Sequence, residues 1–163
     1  MREAEKKIRE RGALAPECAR LRAAGKKIVF TNGCFDLMHA GHATYLEFAR
    51  AQGDVLVVGL NTDASVRRYK GDKRPIVDER NRARMMAALE CVDYVTWFDE
   101  DEPKALIAEL QPDVLVKAED WAHYVSGRDV VEARGGKVVL APMVAGLSTT
   151  KLIEKIVQAY GAG

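Results

Sequence analysis

Short apolar runs rich in β-branched residues alternate with longer segments of helical periodicity from residue 26 onward. Several runs are continuously apolar, as expected when helices cover both faces of a parallel sheet. This alternation is typical of an α/β fold, and it predicts an open parallel five-stranded sheet with helices on both faces. The predicted strands are residues 27–31, 55–60, 94–98, 114–117 and 137–140.

The segments between these runs have recognisable helix ends. Asp78 is a predicted N-cap, and Gly135 with Gly136 is a predicted stop. Ser148 is predicted to cap the last helix. The apolar positions that would form the buried stripe of that helix are Leu152, Ile153, Ile156 and Val157. The predicted helices are residues 41–52, 64–68, 78–89, 102–110, 127–134 and 148–160.

The residues before this alternation form a separate region of the sequence. Residues 1–22 predict an exposed helix appended to the domain, with Gly25 closing the linker. The total length of 163 residues suits one ordinary domain. We therefore expect an N-terminal helical extension over residues 1–25 and one catalytic domain over residues 26–163.

Composition excludes several classes of protein. The net charge of +1 at pH 7 argues against a nucleic acid or an anionic membrane as the main partner. No apolar run approaches the roughly 20 residues that span a bilayer, and the N-terminus lacks the apolar core of a secretory signal. Three irregularly spaced cysteines do not suggest a disulfide framework, so we expect a cytoplasmic, reducing setting.

Two histidines mark the junction of the first strand and its helix, at the edge of the sheet where ligands of open α/β proteins bind. The N-terminus of a helix attracts anions, and the imidazoles of His39 and His42 can donate to phosphate oxygens as charge develops. Gly33 and Gly41 would let a nucleotide approach the backbone. A zinc site is the alternative, but only His123 and scattered cysteines remain as ligands, so no metal site is predicted.

A basic segment follows the second strand, which ends near the candidate substrate-binding residue Asn61. Lys70, Lys73 and Arg74 flank a glycine, and this loop could fold over a triphosphate or an acceptor phosphate. Arg80 opens the next helix and could join the same anion site. A solvated charged loop is the alternative, but the neighbouring histidines favour a functional interpretation.

Two further groups follow the fourth and fifth strands. Lys117 could reach a phosphate, and Asp120 could bind a sugar hydroxyl or Mg²⁺. Trp121 is as compatible with core packing as with contact to a ligand. The hydroxyl-bearing residues at the start of the last helix are Ser148, Thr149 and Thr150. They offer a nucleotide site at a helix N-terminus, although capping alone would explain the serine.

The segment T-N-G-C-F-D-L-M-H-A-G-H, residues 31–42, resembles the signature of the cytidylyltransferase-like branch of the nucleotidyltransferase superfamily. This resemblance implies the Rossmann-like HxGH nucleotidyltransferase fold. It also implies that His39 and His42 contact the nucleotide phosphates and stabilise the transition state.

Over residues 26–157 the chain resembles one subfamily, the heptose 1-phosphate nucleotidyltransferases. The further matching segments are V-G-L-N-T-D-A-S-V-R-R-Y-K-G-D-K-R-P-I-V, R-M-M-A-A-L-E-C-V-D-Y-V, P-D-V-L-V-K and G-L-S-T-T-K-L-I-E-K-I. The resemblance implies that AMP passes from ATP to D-glycero-D-manno-heptose 1-phosphate. The products would be pyrophosphate and ADP-heptose, a precursor of lipopolysaccharide or another surface glycan. It also implies Mg²⁺ bound with the ATP, and a homodimer.

The predicted site combines three sets of residues. The catalytic set is His39, His42 and Lys70. The nucleotide-binding set is Asn32, Gly33, Phe35, Gly41, Lys117, Ser148, Thr149 and Thr150. The set that binds substrate or phosphate is Asp36, Asn61, Arg74, Arg80, Asp120 and Trp121. Asp36 is expected to orient a histidine or to bind the water shell of the metal.

The nucleobase and the acceptor stay open at this point. Ala118 and Glu119 replace glycines that are usual in the subfamily, and a carboxylate among phosphates would repel them unless it binds metal or turns outward. GTP or CTP as donor, and glycerol 3-phosphate or a phosphorylated amino alcohol as acceptor, are the alternatives. A non-catalytic nucleotide-binding module is disfavoured by the intact histidine pair, and a dehydrogenase by the lack of G-x-G-x-x-G after the first strand.

Overall fold

The computed structural model describes residues 3–161, in which the five predicted strands form one parallel sheet. The strands are β1 (Ile28–Gly33), β2 (Val55–Asn61), β3 (Tyr94–Phe98), β4 (Val114–Ala118) and β5 (Lys137–Ala141), in the order β3-β2-β1-β4-β5. The α-helices are α1 (Arg11–Ala23), α2 (Ala40–Arg50), α3 (Asp63–Lys70), α4 (Glu79–Ala88), α5 (Lys104–Leu110), α6 (Arg128–Glu132) and α7 (Thr149–Tyr160). None of these helices is long and apolar enough to cross a membrane. The predicted fold class is confirmed.

The apolar strands bury both of their faces, as the sequence predicts. Successive side chains of a strand point to opposite faces, and β1 shows the result. Ile28 and Phe30 pack in the core that α1, α5 and α6 cover, whereas Val29 packs in the core that α2 and α4 cover. A run of apolar residues is therefore needed on a central strand, because neither face meets water.

The N-terminal segment is not the exposed helix that the sequence predicts. Leu14 and Cys18 of α1 are fully buried in the same core as α5 and α6. Ahead of α1, Ile8 bridges to Val95 of β3, and the N–H of Arg9 donates to the carbonyl oxygen of Val95 over 2.9 Å. The expectation of exposure is wrong, because a few apolar side chains among many charged ones suffice to pack a helix against the sheet.

β1 and β4 separate at the carboxyl edge of the sheet. β1 pairs with β2 from Ile28 to Gly33, but it pairs with β4 only at Val29 and Phe30. The strand order reverses between β1 and β4, and ligands of open α/β sheets bind at such a switch point. Tyr45 of α2 spans the gap, since its hydroxyl lies 2.6 Å from the hydroxyl of Thr31 and donates to the carbonyl oxygen of Val116 over 3.0 Å.

The last helix, α7, keeps its predicted cap but not its predicted burial. The hydroxyl of Ser148 accepts a hydrogen bond from the N–H of Lys151 over 3.1 Å, which confirms the cap. The predicted buried stripe is wrong, because Ile156 is 51% exposed and Val157 is 60% exposed. α7 follows the edge strand β5, and none of the described helices or strands packs extensively against it.

Candidate active site

A cavity of about 620 Å³ opens at the carboxyl edge of the sheet. With the exception of Arg80, every residue that the sequence selects for the site lines this cavity. Those residues are Asn32, Gly33, Phe35, Asp36, His39, Gly41, His42, Asn61, Lys70, Arg74, Lys117, Asp120, Trp121, Ser148, Thr149 and Thr150. Arg80 lies in the first turn of α4 with its side chain exposed, outside the cavity.

The histidine loop, residues 32–42, brings two imidazole rings to the start of α2. The rings of His39 and His42 stack with their centroids 3.9 Å apart and an interplanar angle of 23°. The backbone N–H of His39 donates to Nδ1 of the His42 ring over 3.4 Å. A neutral His42 therefore carries its proton on Nε2. Burial, with the nearby His39 and Lys70, lowers the pKa of His42 to about 4, and burial also lowers the pKa of His39. Both rings are therefore neutral hydrogen-bond donors at pH 7.

Two glycines leave space for the rings of this loop, and a phenylalanine packs against the ring of His42. Phe35 has φ 46°, an uncommon left-handed conformation, and its ring meets that of His42 edge-on at 5.4 Å. A Cβ atom on Gly41 would lie 2.9 Å from Nδ1 of His39, and one on Gly33 would lie 3.0 Å from the ring of Phe35. In the free protein, the space left by both glycines is therefore occupied by the loop's own rings.

Asp36 contacts the basic loop, residues 70–77, rather than a histidine. Its carboxylate accepts from Nε of Arg74 over 2.6 Å, and from the N–H groups of Ile76 and Val77 over 2.9 and 2.8 Å. Burial alone would raise the pKa of Asp36, but these donors hold it below its ordinary value. Asp36 thus fastens the basic loop to the histidine loop, in place of the predicted contact with a histidine.

Arg82 of α4 is a structural residue that sequence reasoning missed. Its buried guanidinium donates to the carbonyl oxygens of Cys34, Asn61 and Val77 over 2.6, 2.8 and 2.9 Å. It also pairs with the carboxylate of Asp63 over 2.8 Å. One side chain therefore ties together the histidine loop, the end of β2 and the basic loop.

On the other side of the cavity, Lys117 spans the gap between β4 and β1. Its Nζ lies 3.2 Å from Oδ1 of Asn32 and 5.3 Å from the centroid of the Trp121 ring. Burial lowers the pKa of Lys117 to about 8, although the nearby Asp120 acts in the opposite direction. Trp121 is 45% exposed, so core packing does not describe it. A phosphate beside Lys117 would favour its charged form.

Glu119 turns away from the cavity. Its Oε1 accepts from the N–H of Met143 over 3.0 Å, and the side chain does not line the cavity. The carboxylate of Glu119 therefore lies outside the cavity and not where a carboxylate would repel phosphates. It links β4 instead to the rim formed by residues 142–148.

The start of α7 closes the same rim. The hydroxyl of Thr149 donates to the carbonyl oxygen of Leu37 over 3.0 Å, which joins the last helix to the histidine loop. Sequence reasoning did not select Glu102, Tyr124 and Ser126, which also line the cavity. Their position after β3 and β4, at the carboxyl edge of the sheet, was the signal that could have identified them.

Within residues 3–161 there is no group of three or more His, Cys, Asp or Glu residues that could hold a metal ion. Mg²⁺ is commonly bound by one or two carboxylates together with substrate phosphates. The carboxylate of Asp120, which lines the cavity, fits this arrangement, in which the ion arrives with a nucleotide.

Known proteins match this chain over most of its length. The profile of the cytidylyltransferase-like family matches residues 30–155. The bifunctional protein HldE of Citrifermentans bemidjiense is 56% identical over 160 residues, which are 98% of this chain and 33% of that protein. The bifunctional protein HldE of Azorhizobium caulinodans is 58% identical over 135 residues, which are 82% of this chain and 28% of that protein. The chain thus spans about a third of the length of these relatives.

A solved structure is similar as well. The crystal structure of the lipopolysaccharide core biosynthesis protein from Thermoplasma volcanium superposes with a TM-score of 0.61 at 28% sequence identity. The match covers 74% of this chain and 98% of that chain.

Proposed function

Because the chain belongs to the cytidylyltransferase-like family, we propose that it transfers AMP from ATP to D-glycero-D-manno-heptose 1-phosphate, forming ADP-heptose and pyrophosphate. The stacked pair of His39 and His42 at the N-terminus of α2 carries the proposal for the chemistry. Likeness to the bifunctional HldE proteins over nearly the whole chain supports the heptose acceptor. The product would serve the synthesis of lipopolysaccharide or another surface glycan.

The side chains suit an in-line displacement at phosphorus. A phosphate oxygen of the acceptor attacks the α-phosphorus of ATP, and the bond from that phosphorus to the pyrophosphate oxygen breaks. The attacking oxygen is already ionised at neutral pH, so the site needs no general base. Catalysis then consists of positioning and charge stabilisation. The Nε2–H of His42 and the ammonium groups of Lys70 and Lys117 are the donors for the oxygens that gain charge.

Mg²⁺ belongs to the same proposal. When bound, the ion would neutralise part of the triphosphate charge, and Asp120 would hold its water shell. Since ATP and sugar phosphates are cytoplasmic metabolites, we place the reaction in the cytoplasm. A homodimer is part of the proposal on family resemblance.

Pyrophosphate release by the purified chain tests the proposal. Each of ATP, GTP and CTP is combined with heptose 1-phosphate, glycerol 3-phosphate or phosphoethanolamine, and His42→Ala serves as the matched blank. We expect the fastest release with ATP and heptose 1-phosphate. If pyrophosphate is released only with CTP and glycerol 3-phosphate, both the proposed donor and the proposed acceptor are wrong. Binding of ATP without turnover on any acceptor would make the chain a nucleotide-binding module.

A further inference from the structure

One end of the cavity is lined by a carboxylate, hydroxyl groups and aromatic rings. It is formed by the loops after β3 and β4, and we call it the aromatic end. Its lining residues are Glu102, Trp121, Tyr124 and Ser126. We propose that the aromatic end binds the hydroxyl groups of the acceptor sugar and that Glu102 selects an acceptor rich in hydroxyls. This inference rests on the proposed function, because it names the place of the acceptor in that reaction.

Hydrogen-bonding capacity at the aromatic end carries the inference. The hydroxyls of Tyr124 and Ser126 each lie 2.9 Å from Oε2 of Glu102. A carboxylate only accepts, so both hydroxyls give it their hydrogen atoms. These three side chains leave lone pairs for a ligand, and the indole N–H of Trp121 adds one donor. The ligand must therefore supply several donors and can also offer an acceptor. Sugar hydroxyls do both, whereas ionised phosphate oxygens only accept.

An ammonium group would also supply donors, and the carboxylate of Glu102 would attract it, but the face of the Trp121 ring is already occupied by a cation. Lys117 lies over that ring, the place that a ligand cation would take. Trp121 and Tyr124 are 45% and 52% exposed, and they offer apolar ring surface for the C–H groups of a sugar.

The position of the aromatic end assigns it to the acceptor rather than to the nucleotide. Arg68 of α3 pairs with Asp101 over 3.1 Å, so the loop that carries Glu102 lies against the helix that ends at Lys70. The rim formed by residues 142–148 is joined to the histidine loop through the bond from Thr149 to Leu37, and to Glu119 after β4 through Met143. A nucleotide held by the rim and the histidine loop leaves the aromatic end to the second substrate. The negative charge of Glu102 also keeps the triphosphate away.

Steady-state kinetics of Glu102→Gln test the assignment. The amide removes the charge, keeps the size and introduces a competing donor. We expect the KM for heptose 1-phosphate to rise about 10- to 100-fold, as for loss of a hydrogen bond to a charged group. The KM for ATP should stay unchanged. Glu132→Gln is the matched control, since this exposed carboxylate pairs with Arg128 outside the cavity and should leave both values unchanged.

Binding measured without turnover separates this inference from the proposed function. Titration calorimetry with heptose 1-phosphate, in the presence of α,β-methylene-ATP, gives the Kd for the wild type and for Glu102→Gln. If the wild type binds the sugar phosphate and Glu102→Gln weakens that binding, the inference stands even when no pyrophosphate is released. Turnover of heptose 1-phosphate with a KM unaffected by Glu102→Gln would overturn the inference and leave the proposed function standing. Tighter binding of phosphoethanolamine than of heptose 1-phosphate would also overturn it.

Discussion

The two walls of the cavity are held in different ways. The first wall, residues 32–42 with the basic loop, is fastened from inside by the buried guanidinium of Arg82 and the carboxylate of Asp36. The second wall, residues 142–150, is attached through the side chains of Thr149 and Glu119, and it leads into a helix with no buried residue. The first wall therefore holds His42 and Arg74 in place before substrate arrives, whereas the rim that faces them is attached by few contacts.

Loss of the Arg82 guanidinium should destabilise the first wall more than any other change described below. Arg82→Met removes four hydrogen bonds and leaves the carboxylate of Asp63 without its partner. We expect the free energy of unfolding, measured with urea, to fall by about 3 kcal/mol or more, as for a broken buried ion pair. Arg84→Met is the control on the same helix. Its exposed pair with Glu5 should contribute less than about 1 kcal/mol. Equal losses in the two variants would contradict the role of Arg82 in fastening the first wall.

The next effect concerns the chemistry that the first wall supports. His42→Ala should lower kcat at least ~100-fold, because a positioned donor to the developing charge is lost. The thermal midpoint should change little by comparison. His123→Ala removes the remaining histidine of the chain, which does not line the cavity, and should stay close to the wild type in kcat. A similar kcat for His42→Ala and the wild type would remove that ring from the mechanism.

The pH dependence of the kinetics reports on Lys117, which lies at the gap between β1 and β4. In the free protein Lys117 is charged below its pKa of about 8 and neutral above it. We therefore expect kcat/KM for ATP to fall as the pH rises through about 8. The matching fall in kcat should occur at higher pH, because a bound phosphate favours the charged form. Lys117→Arg should abolish the fall, since a guanidinium stays charged. An unchanged profile in that variant would assign the fall to another group.

The smallest expected effect lies on the second wall. Ile156→Ser should change the free energy of unfolding by less than about 0.5 kcal/mol, because the side chain is half exposed. Leu46→Ala on α2 should lower it by about 2–5 kcal/mol, because that side chain is fully buried. If the two variants lose similar stability, the face of α7 is covered in solution, as it would be in a homodimer formed through α7. Sedimentation of both variants would then show whether a dimer has dissociated.

The sheet and most of the cavity lining were predictable because both depend on local patterns. Apolar runs mark the strands, and the rule that ligands bind at the carboxyl ends of strands collects residues as distant in sequence as Asn32 and Ser148. Arg82 was missed because it stands in a charged run, and its burial depends on carbonyl groups from three separate segments. Its position four residues before the buried Met86 was the available signal.

The errors at the two termini have opposite causes. On α1, Leu14 and Cys18 are too few for a strong amphipathic pattern, yet the face of the sheet needs them. On α7, an apolar stripe shows that a helix has an apolar face, but it does not show that the chain provides a partner for it. Ile156 and Val157 follow the pattern and remain exposed.

The gap between β1 and β4 has a mechanical consequence. Past Phe30 and Leu115 no ladder joins these strands, so the stiffness of the cavity floor depends on one phenol, Tyr45, and one ammonium group, Lys117. Strands that are joined only by side chains can move apart slightly without breaking any backbone hydrogen bond. Tyr45→Phe should therefore quicken amide hydrogen exchange along the end of β4 at a nearly unchanged thermal midpoint. Flexibility of this kind would let the cavity widen for the release of the proposed nucleotide sugar.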